Sequence, residues 1–140
     1  MMNSSHELFL PLLLQVFLTL LLYVRLAIVK ARAVKRGLVD NERRALHADA
    51  WPDSVLAINN NIRNQFEVPV LFYVMVLVLH QLGATGLLPQ ALAWVFVASR
   101  LLHAYVHTGA NNVALRRNVF MFGCITVLAM LGVAIWTVFS

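Results

Sequence analysis

The sequence predicts an all-α membrane protein, a bundle of four transmembrane helices, and three observations carry that prediction. Hydrophobic residues fill 61% of the 140 positions and charged residues 12%, a balance that leaves no water-facing side for a soluble domain. Four apolar stretches, 8–30, 58–82, 87–107 and 117–139, have the roughly 20-residue length that a helix needs to cross the hydrocarbon of a bilayer. The charges gather between those stretches, most of them in one loop, 31–57. With no internal repeat and little chain outside the spans, 1–140 reads as a single transmembrane domain.

The chain opens Met1-Met2-Asn3-Ser4-Ser5-His6-Glu7, without the basic start of a signal peptide, and the apolar segment behind it is too long for a cleaved one. It is expected to stay as the first span. Pro11 falls in an initial turn, where a missing amide is harmless. Gln15 and Thr19 interrupt the apolar run, and Arg25, Lys30 and Arg32 are placed to reach toward lipid headgroups. The loop 31–57 mixes basic residues with Asp40, Glu42, Asp49 and Asp53 and is punctuated by Gly37 and Pro52. Its length fits either a functional cover or a solvated linker, and Trp51 reads as an anchor at the membrane interface.

The second span carries the informative stretch. The run Val68 to Leu79 is too short to cross alone, and His80, Gln81 and Gly83 stop it, so the helix must extend backward and draw Asn59 to Glu67 into the membrane. Asn60, Arg63, Asn64 and Glu67 follow i, i+3, i+4, i+7 spacing and share one stripe, on which Arg63 and Glu67 are placed to pair. An ionised side chain at the bilayer centre costs at least about 2.5 kcal/mol, so these groups should face a bundle interior or a wet cavity. The plain reading beside the functional one is a buried ion pair that fixes helix packing. Pro69 removes an amide and clashes with the carbonyl of Gln65, which predicts a kink.

A tight joint with Gly83 and Gly86 leads to the third span, where Pro89 fits the first turn and Trp94 reads as core. Arg100, His103 and His107 form a second polar stripe at i, i+3, i+7. Arg116 and Arg117 end the third loop. The fourth span offers Gly123, Ala129 and Gly132 for close helix contact, and Cys124 reads as packing. Trp136 and Tyr23 lie near opposite membrane faces, as interfacial aromatics do.

The net charge of +5 has a topological explanation and does not call for nucleic acid. No Lys or Arg occurs before Arg25, between Arg63 and Arg100, or after Arg117, so the positive-inside rule puts loops one and three in the cytoplasm. Three polar sets then converge on one leaflet: Asn60/Arg63/Asn64/Glu67, Arg100/His103/His107 and Arg116 or Arg117. Several guanidiniums around one carboxylate make an anion pocket with its own counter-charge, suited to a small zwitterion. A thiol bound there would be drawn toward its thiolate. His103 and His107 lack a third ligand at suitable spacing, so no metal site is expected.

The run Arg63-Asn64-Gln65-Phe66-Glu67-Val68-Pro69, followed by Arg100-Leu101-Leu102-His103 and Arg116, resembles the MAPEG family, membrane-associated proteins in eicosanoid and glutathione metabolism. The likeness covers nearly the whole chain in length, span number and motif order. It implies a homotrimer of four-helix protomers with glutathione, the co-substrate, held between subunits. It assigns glutathione contacts to Arg63, Asn64, Glu67 and His103 and the thiolate to Arg116. Arg32 is a weaker match to a basic residue ending span one, and Arg100 and His107 join as neighbours on the span-three stripe. Where family members often carry tyrosine, this chain has His107 and Phe120, which turns the expectation from eicosanoid chemistry toward a general bacterial-type member. That would be a glutathione S-transferase or peroxidase of the bacterial inner membrane, acting on a lipophilic electrophile from among the membrane lipids. The same residues also allow a non-catalytic protein whose polar cluster serves trimer packing or lipid-headgroup binding. A small transporter fits less well, since the chain lacks paired broken helices and repeats.

Overall fold

A computed structural model describes residues 6–140, so the reading of Met1 to Ser5 as a retained start lies outside the described residues. The chain forms α1 (Phe9–Lys35), a turn of 3₁₀ helix (Ala48–Ala50), α2 (Asp53–Gln65), α3 (Val68–Gln81), α4 (Leu87–Thr108) and α5 (Val113–Phe139). There is no strand among the described residues. Among the described residues four helical spans are long and apolar enough to cross a membrane: Phe9–Lys35, Asp53–Gln81, Leu87–Thr108 and Val113–Phe139.

The second span is α2 followed by α3, and the kink expected at Pro69 is a full break at Phe66-Glu67. Pro69, in the first turn of α3, has no N–H to offer the Gln65 carbonyl, and α3 restarts with the Val70 amide donating to the Glu67 carbonyl at 3.1 Å. Three other boundaries differ from the sequence reading. The first helix continues to Lys35, because Arg32 and Lys35 in its last turn complement the negative end of the helix dipole. The loop is thereby shortened to 36–52, since α2 begins at Asp53 behind an extended Pro52. Asn112 starts α5 four residues before position 117, its Oδ1 accepting from the Leu115 amide at 3.0 Å.

Helices α1 and α3 stop in the same way. Gly37 (φ +66°) and Gly83 (φ +71°) adopt the left-handed conformation that lets the chain fold back on the helix end. The Leu38 amide then reaches the Ala33 carbonyl at 3.0 Å, and the Ala84 amide reaches that of Leu79 at 2.9 Å. These bonds satisfy carbonyls that a helix end leaves open.

One apolar core, toward the joint of α3 and α4, gathers Leu8, Phe72, Val76, Leu79, Phe96 and Met130, with the Phe72 and Phe96 rings stacked 4.3 Å apart. A second, nearer the first loop, joins Leu18, Leu22, Ile58, Ile62 and Ala104. Between α1 and α2 runs a buried polar chain, with Gln15 Nε2 donating to Gln65 Oε1 at 2.8 Å and Gln65 Nε2 to Asn61 Oδ1 at 3.1 Å. α4 and α5 approach closely at Gly123, where a Cβ would lie 3.3 Å from Ser99 Oγ, whereas one at Gly132 would meet nothing within 4 Å. The close contact expected at Gly132 is therefore not made within the chain. Trp94 points outward, 46% exposed, and is not core; a lipid-facing wall can carry it as well as an interior can. Trp51 is tied into the loop, its Nε1 donating to the Arg44 carbonyl at 3.2 Å and the Lys30 ammonium lying 4.8 Å from its ring centre.

Candidate functional site

The break between α2 and α3 sits where three helices present their polar residues to one another. A cavity of about 210 Å³ is lined by Asn60, Arg63, Asn64, Glu67, His107 and Arg116. A second, of about 340 Å³, adds His103, Val113, Arg117 and Phe120 and shares Asn64, Glu67 and Arg116 with the first. The two form one cleft.

Arg63 and Glu67 both face this cleft, yet they do not pair. Among the described residues the ion pairs are those of Arg43 with Asp40 and Asp49 in the loop. The pairing expected from i, i+4 spacing needs an unbroken helix, and the turn at Phe66-Glu67 removes it. Both side chains are thus left available to a ligand.

Arg100 lies behind the cleft wall, only 1% exposed. The helix break deprives the Asn64 carbonyl of the amide that would follow it in a continuous helix, and the Arg100 Nη2 donates there instead, at 3.2 Å. Its Nε has no partner. His103 and His107, one turn apart on α4, are both buried and meet edge to face with ring centres 5.5 Å apart. The His103 ring lies 6.0 Å from that of Phe120, and neither histidine's Nδ1 has a partner. Arg116 stands in the first turns of α5, its Nη1 donating to Asn111 Oδ1 at 2.7 Å. Asn111 has a φ of +49°, a left-handed conformation that asparagine tolerates better than most side chains. Arg32 lies elsewhere: it is exposed near the end of α1 and lines a separate cavity with Val29, Arg36 and Pro52.

The fold therefore brings Asn60, Arg63, Asn64, Glu67, His103, His107 and Arg116 to one cleft with Arg100 behind it, and leaves Arg32 apart within its own chain. Sequence reasoning passed over Asn111 and Asn112, which hold Arg116 and begin its helix. The signal was present, since paired asparagines before an apolar periodic run read as a helix start. It also treated Gln15 as a mere interruption, though it anchors the buried chain to Gln65 and Asn61 on the helix that carries Arg63 and Asn64. Arg63, Arg116 and Arg117 line the cleft against the single carboxylate of Glu67, so its balance is cationic. No group of three or more His, Cys, Asp or Glu able to hold a metal ion occurs among the described residues.

Four membrane-crossing helices around a cationic cleft define the class: an integral, multi-pass helical membrane protein with a polar site buried among its spans. The family follows from the sequence profile described as the MAPEG family, which matches residues 8–136. The chain belongs to that family, the membrane proteins of glutathione and eicosanoid metabolism. No curated protein and no solved structure compared with the chain matches it.

Proposed function

We propose that the protein binds glutathione in this cleft and activates its thiolate for attack on a lipophilic electrophile, as a glutathione S-transferase or peroxidase. The observation that carries the reading is the convergence of Arg63, Arg116, Arg117, His103 and His107 on one cleft with the single carboxylate of Glu67; of the five unpartnered buried polar atoms among the described residues, Arg100 Nε, His103 Nδ1 and His107 Nδ1 lie at or behind its wall, and Gln15 Oε1 and Asn61 Nδ2 lie in the polar chain between α1 and α2. A cluster serving packing alone would pair its single carboxylate with a guanidinium, whereas Glu67 and Arg63 share the cleft without pairing. Glutathione answers the inventory: its two carboxylates suit the arginines, its ammonium suits Glu67, and its amides suit Asn64 and the histidines. In the transferase reaction the bound thiol gives its proton to solvent, and the sulfur forms a bond to an electrophilic carbon as the leaving group departs with its electron pair. Arg116 would stabilise the thiolate, with Arg63, Asn64 and Glu67 positioning the tripeptide and His103 donating to it.

An apolar groove of about 430 Å³ between α4 and α5, lined by Val95, Ala98, Leu102, Val119 and Phe122 among others, suits the co-substrate. Leu102 and Val119 directly precede His103 and Phe120 of the cleft. Arg32, remote from the cleft in its own chain, would contribute only from a neighbouring copy, in keeping with the homotrimer that family membership implies. Loops one and three then face the cytoplasm across a bacterial inner membrane.

Calorimetric titration of glutathione into the detergent-solubilised protein tests the proposal. Saturable binding that Arg63→Ala weakens is the expected result. No heat of binding up to millimolar glutathione, with assembly intact, would overturn it.

A further inference from the structure

The last turn of α2 carries Arg63 and Asn64 into the cleft, and little apolar contact holds it there. The second core reaches α2 through Ile58 and Ile62, and the next apolar side chain, Phe66, is 58% exposed. Beyond Ile62 the helix end is fastened by polar contacts on two sides. On one, Arg100 Nη2 donates to the Asn64 carbonyl at 3.2 Å. On the other, Gln15 of α1 donates from Nε2 to Gln65 Oε1 at 2.8 Å, and Gln65 Nε2 donates in turn to Asn61 Oδ1 at 3.1 Å. Gln15, Asn61 and Gln65 are all buried. The Thr19 hydroxyl, one turn along α1, is turned back on the Gln15 carbonyl at 3.1 Å. Among the described residues, the side-chain hydrogen bond that crosses from α1 to α2 is therefore that of Gln15.

Helical period sets Asn61 and Gln65 on one face of α2 and Asn60, Arg63 and Asn64 on another, so any rotation of the helix end moves both faces together. Apolar packing resists separation of the helices but has no direction. A hydrogen bond in a dry interior is directional and strong. The Gln15 amide thus fixes what packing leaves free, the rotation of the helix end about its own axis. A binding constellation needs its groups held within about 0.5 Å, and the long Arg63 side chain magnifies any roll of the helix beneath it.

We infer that Gln15 is a positioning residue for the cleft: from the back of α2 its amide sets the rotation of the broken helix end, and with it the placement of Asn60, Arg63 and Asn64 toward glutathione. The role rests on the glutathione reading of the cleft. Arg116 stands on α5, outside this connection, so the affinity for glutathione depends on Gln15 and the state of the bound thiol does not. The connection also has a cost. Gln15 Oε1 and Asn61 Nδ2 are left without partners, and a buried polar atom without a partner destabilises the fold. Replacing all three amides by apolar side chains of similar size removes that cost together with the connection. Stability and binding then move apart, which separates positioning from packing.

The test uses the full-length protein in detergent and two variants, Gln15→Met and the triple replacement Gln15→Met/Asn61→Leu/Gln65→Met. Gln15→Met strands the Gln65 amide, so it should lower both the melting temperature and the calorimetric affinity for glutathione. The triple variant should melt at or above the wild-type temperature and still bind glutathione about tenfold more weakly, less than the roughly 10²-fold that a misplacement of about 1 Å costs. The ultraviolet absorbance of the thiolate, per bound glutathione, should match wild type in both. Without ligand, hydrogen exchange in the triple variant should quicken over 62–67 and stay unchanged over 113–120. Wild-type affinity in the triple variant would overturn the role, since packing alone would then hold the helix end. Melting temperature and affinity lost together in the triple variant, or a lower thiolate absorbance, would overturn it too, because a general loosening then explains both. If wild type itself gives no heat with glutathione, the reading of the cleft fails and exchange alone judges Gln15: unchanged protection over 62–67 would show that it does not hold the helix end.

Discussion

Arg116 and Arg100 differ in how the protein holds them, and that difference divides their expected roles. Arg116 reaches the cleft from the start of α5, steadied by Asn111, while Arg100 is buried behind the wall and braces the broken end of α2. Replacing Arg116 by Ala should reduce kcat about 10² to 10³-fold, the range for removing a preorganised stabiliser of developing charge, with a smaller change in glutathione affinity. Steady-state kinetics beside calorimetry would check this split, and an unchanged kcat would remove Arg116 from the chemistry. Asn112→Ala should cost about 1 kcal/mol through the lost cap, seen as a lower melting temperature in detergent. In the loop, the hydrogen bond from Arg43 holds the Asp49 carboxyl below the usual carboxylate range and pushes the Arg43 guanidinium further up. A lowered folded-state value means that the clasp is fully present above the ordinary carboxylate range and is lost as pH falls through the lowered one. Both groups are fully exposed, so the effect should be local: faster hydrogen exchange across 36–52 at acid pH, absent in Asp49→Asn.

At the level of elements, the break between α2 and α3 organises the site. Pro69 and the Phe66-Glu67 turn free the Asn64 carbonyl for Arg100, separate Glu67 from Arg63, and leave both facing the cleft. Pro69→Ala restores the amide that a continuous helix needs, so it should join α2 to α3, pair Glu67 with Arg63 and weaken glutathione binding while the protein stays folded and assembled. Calorimetry on the variant decides it; unaltered affinity would show that the break does not shape the site. Gly83→Ala should act on stability alone, by about 1–2 kcal/mol, the penalty of a side chain in the left-handed conformation, read as a lower melting temperature with binding retained.

For the whole molecule, the outward apolar residues of α1, α3 and α5, such as Leu13, Leu20, Val74, Ile125 and Trp136, suit lipid or a neighbouring copy, as a bilayer protein requires. Arg32 stands outside the cleft of its own chain. If a neighbour supplies it, the solubilised protein should run as three chains by native mass spectrometry, and mixing Arg32→Ala with Arg63→Ala chains should restore part of the glutathione binding that each lacks. A monomer with full affinity would exclude that arrangement.

The sequence by itself determined the four spans, because the length of an apolar run and the cost of burying charge are local quantities that composition reveals. It also determined that Asn60, Arg63 and Asn64 lie on one stripe and that Arg100, His103 and His107 lie on another, since helical period alone sets those faces, whereas Glu67, expected on the first stripe, stands beyond the break and reaches the cleft through the tertiary fold. Only the tertiary structure decided which of these groups meet a partner. The Arg63 and Glu67 pairing suggested by spacing fails because the local conformation after Gln65 changes the register. Arg100 turns to a backbone carbonyl that no sequence pattern exposes. The helix ends at Lys35, Asp53 and Val113 were set by caps and turns, in which Gly37, Pro52 and Asn112 act beside the charges of the last turn of α1. The separation of Arg32 from the cleft is likewise tertiary, because spacing fixes direction along one helix, whereas distance between helices depends on how the whole bundle packs.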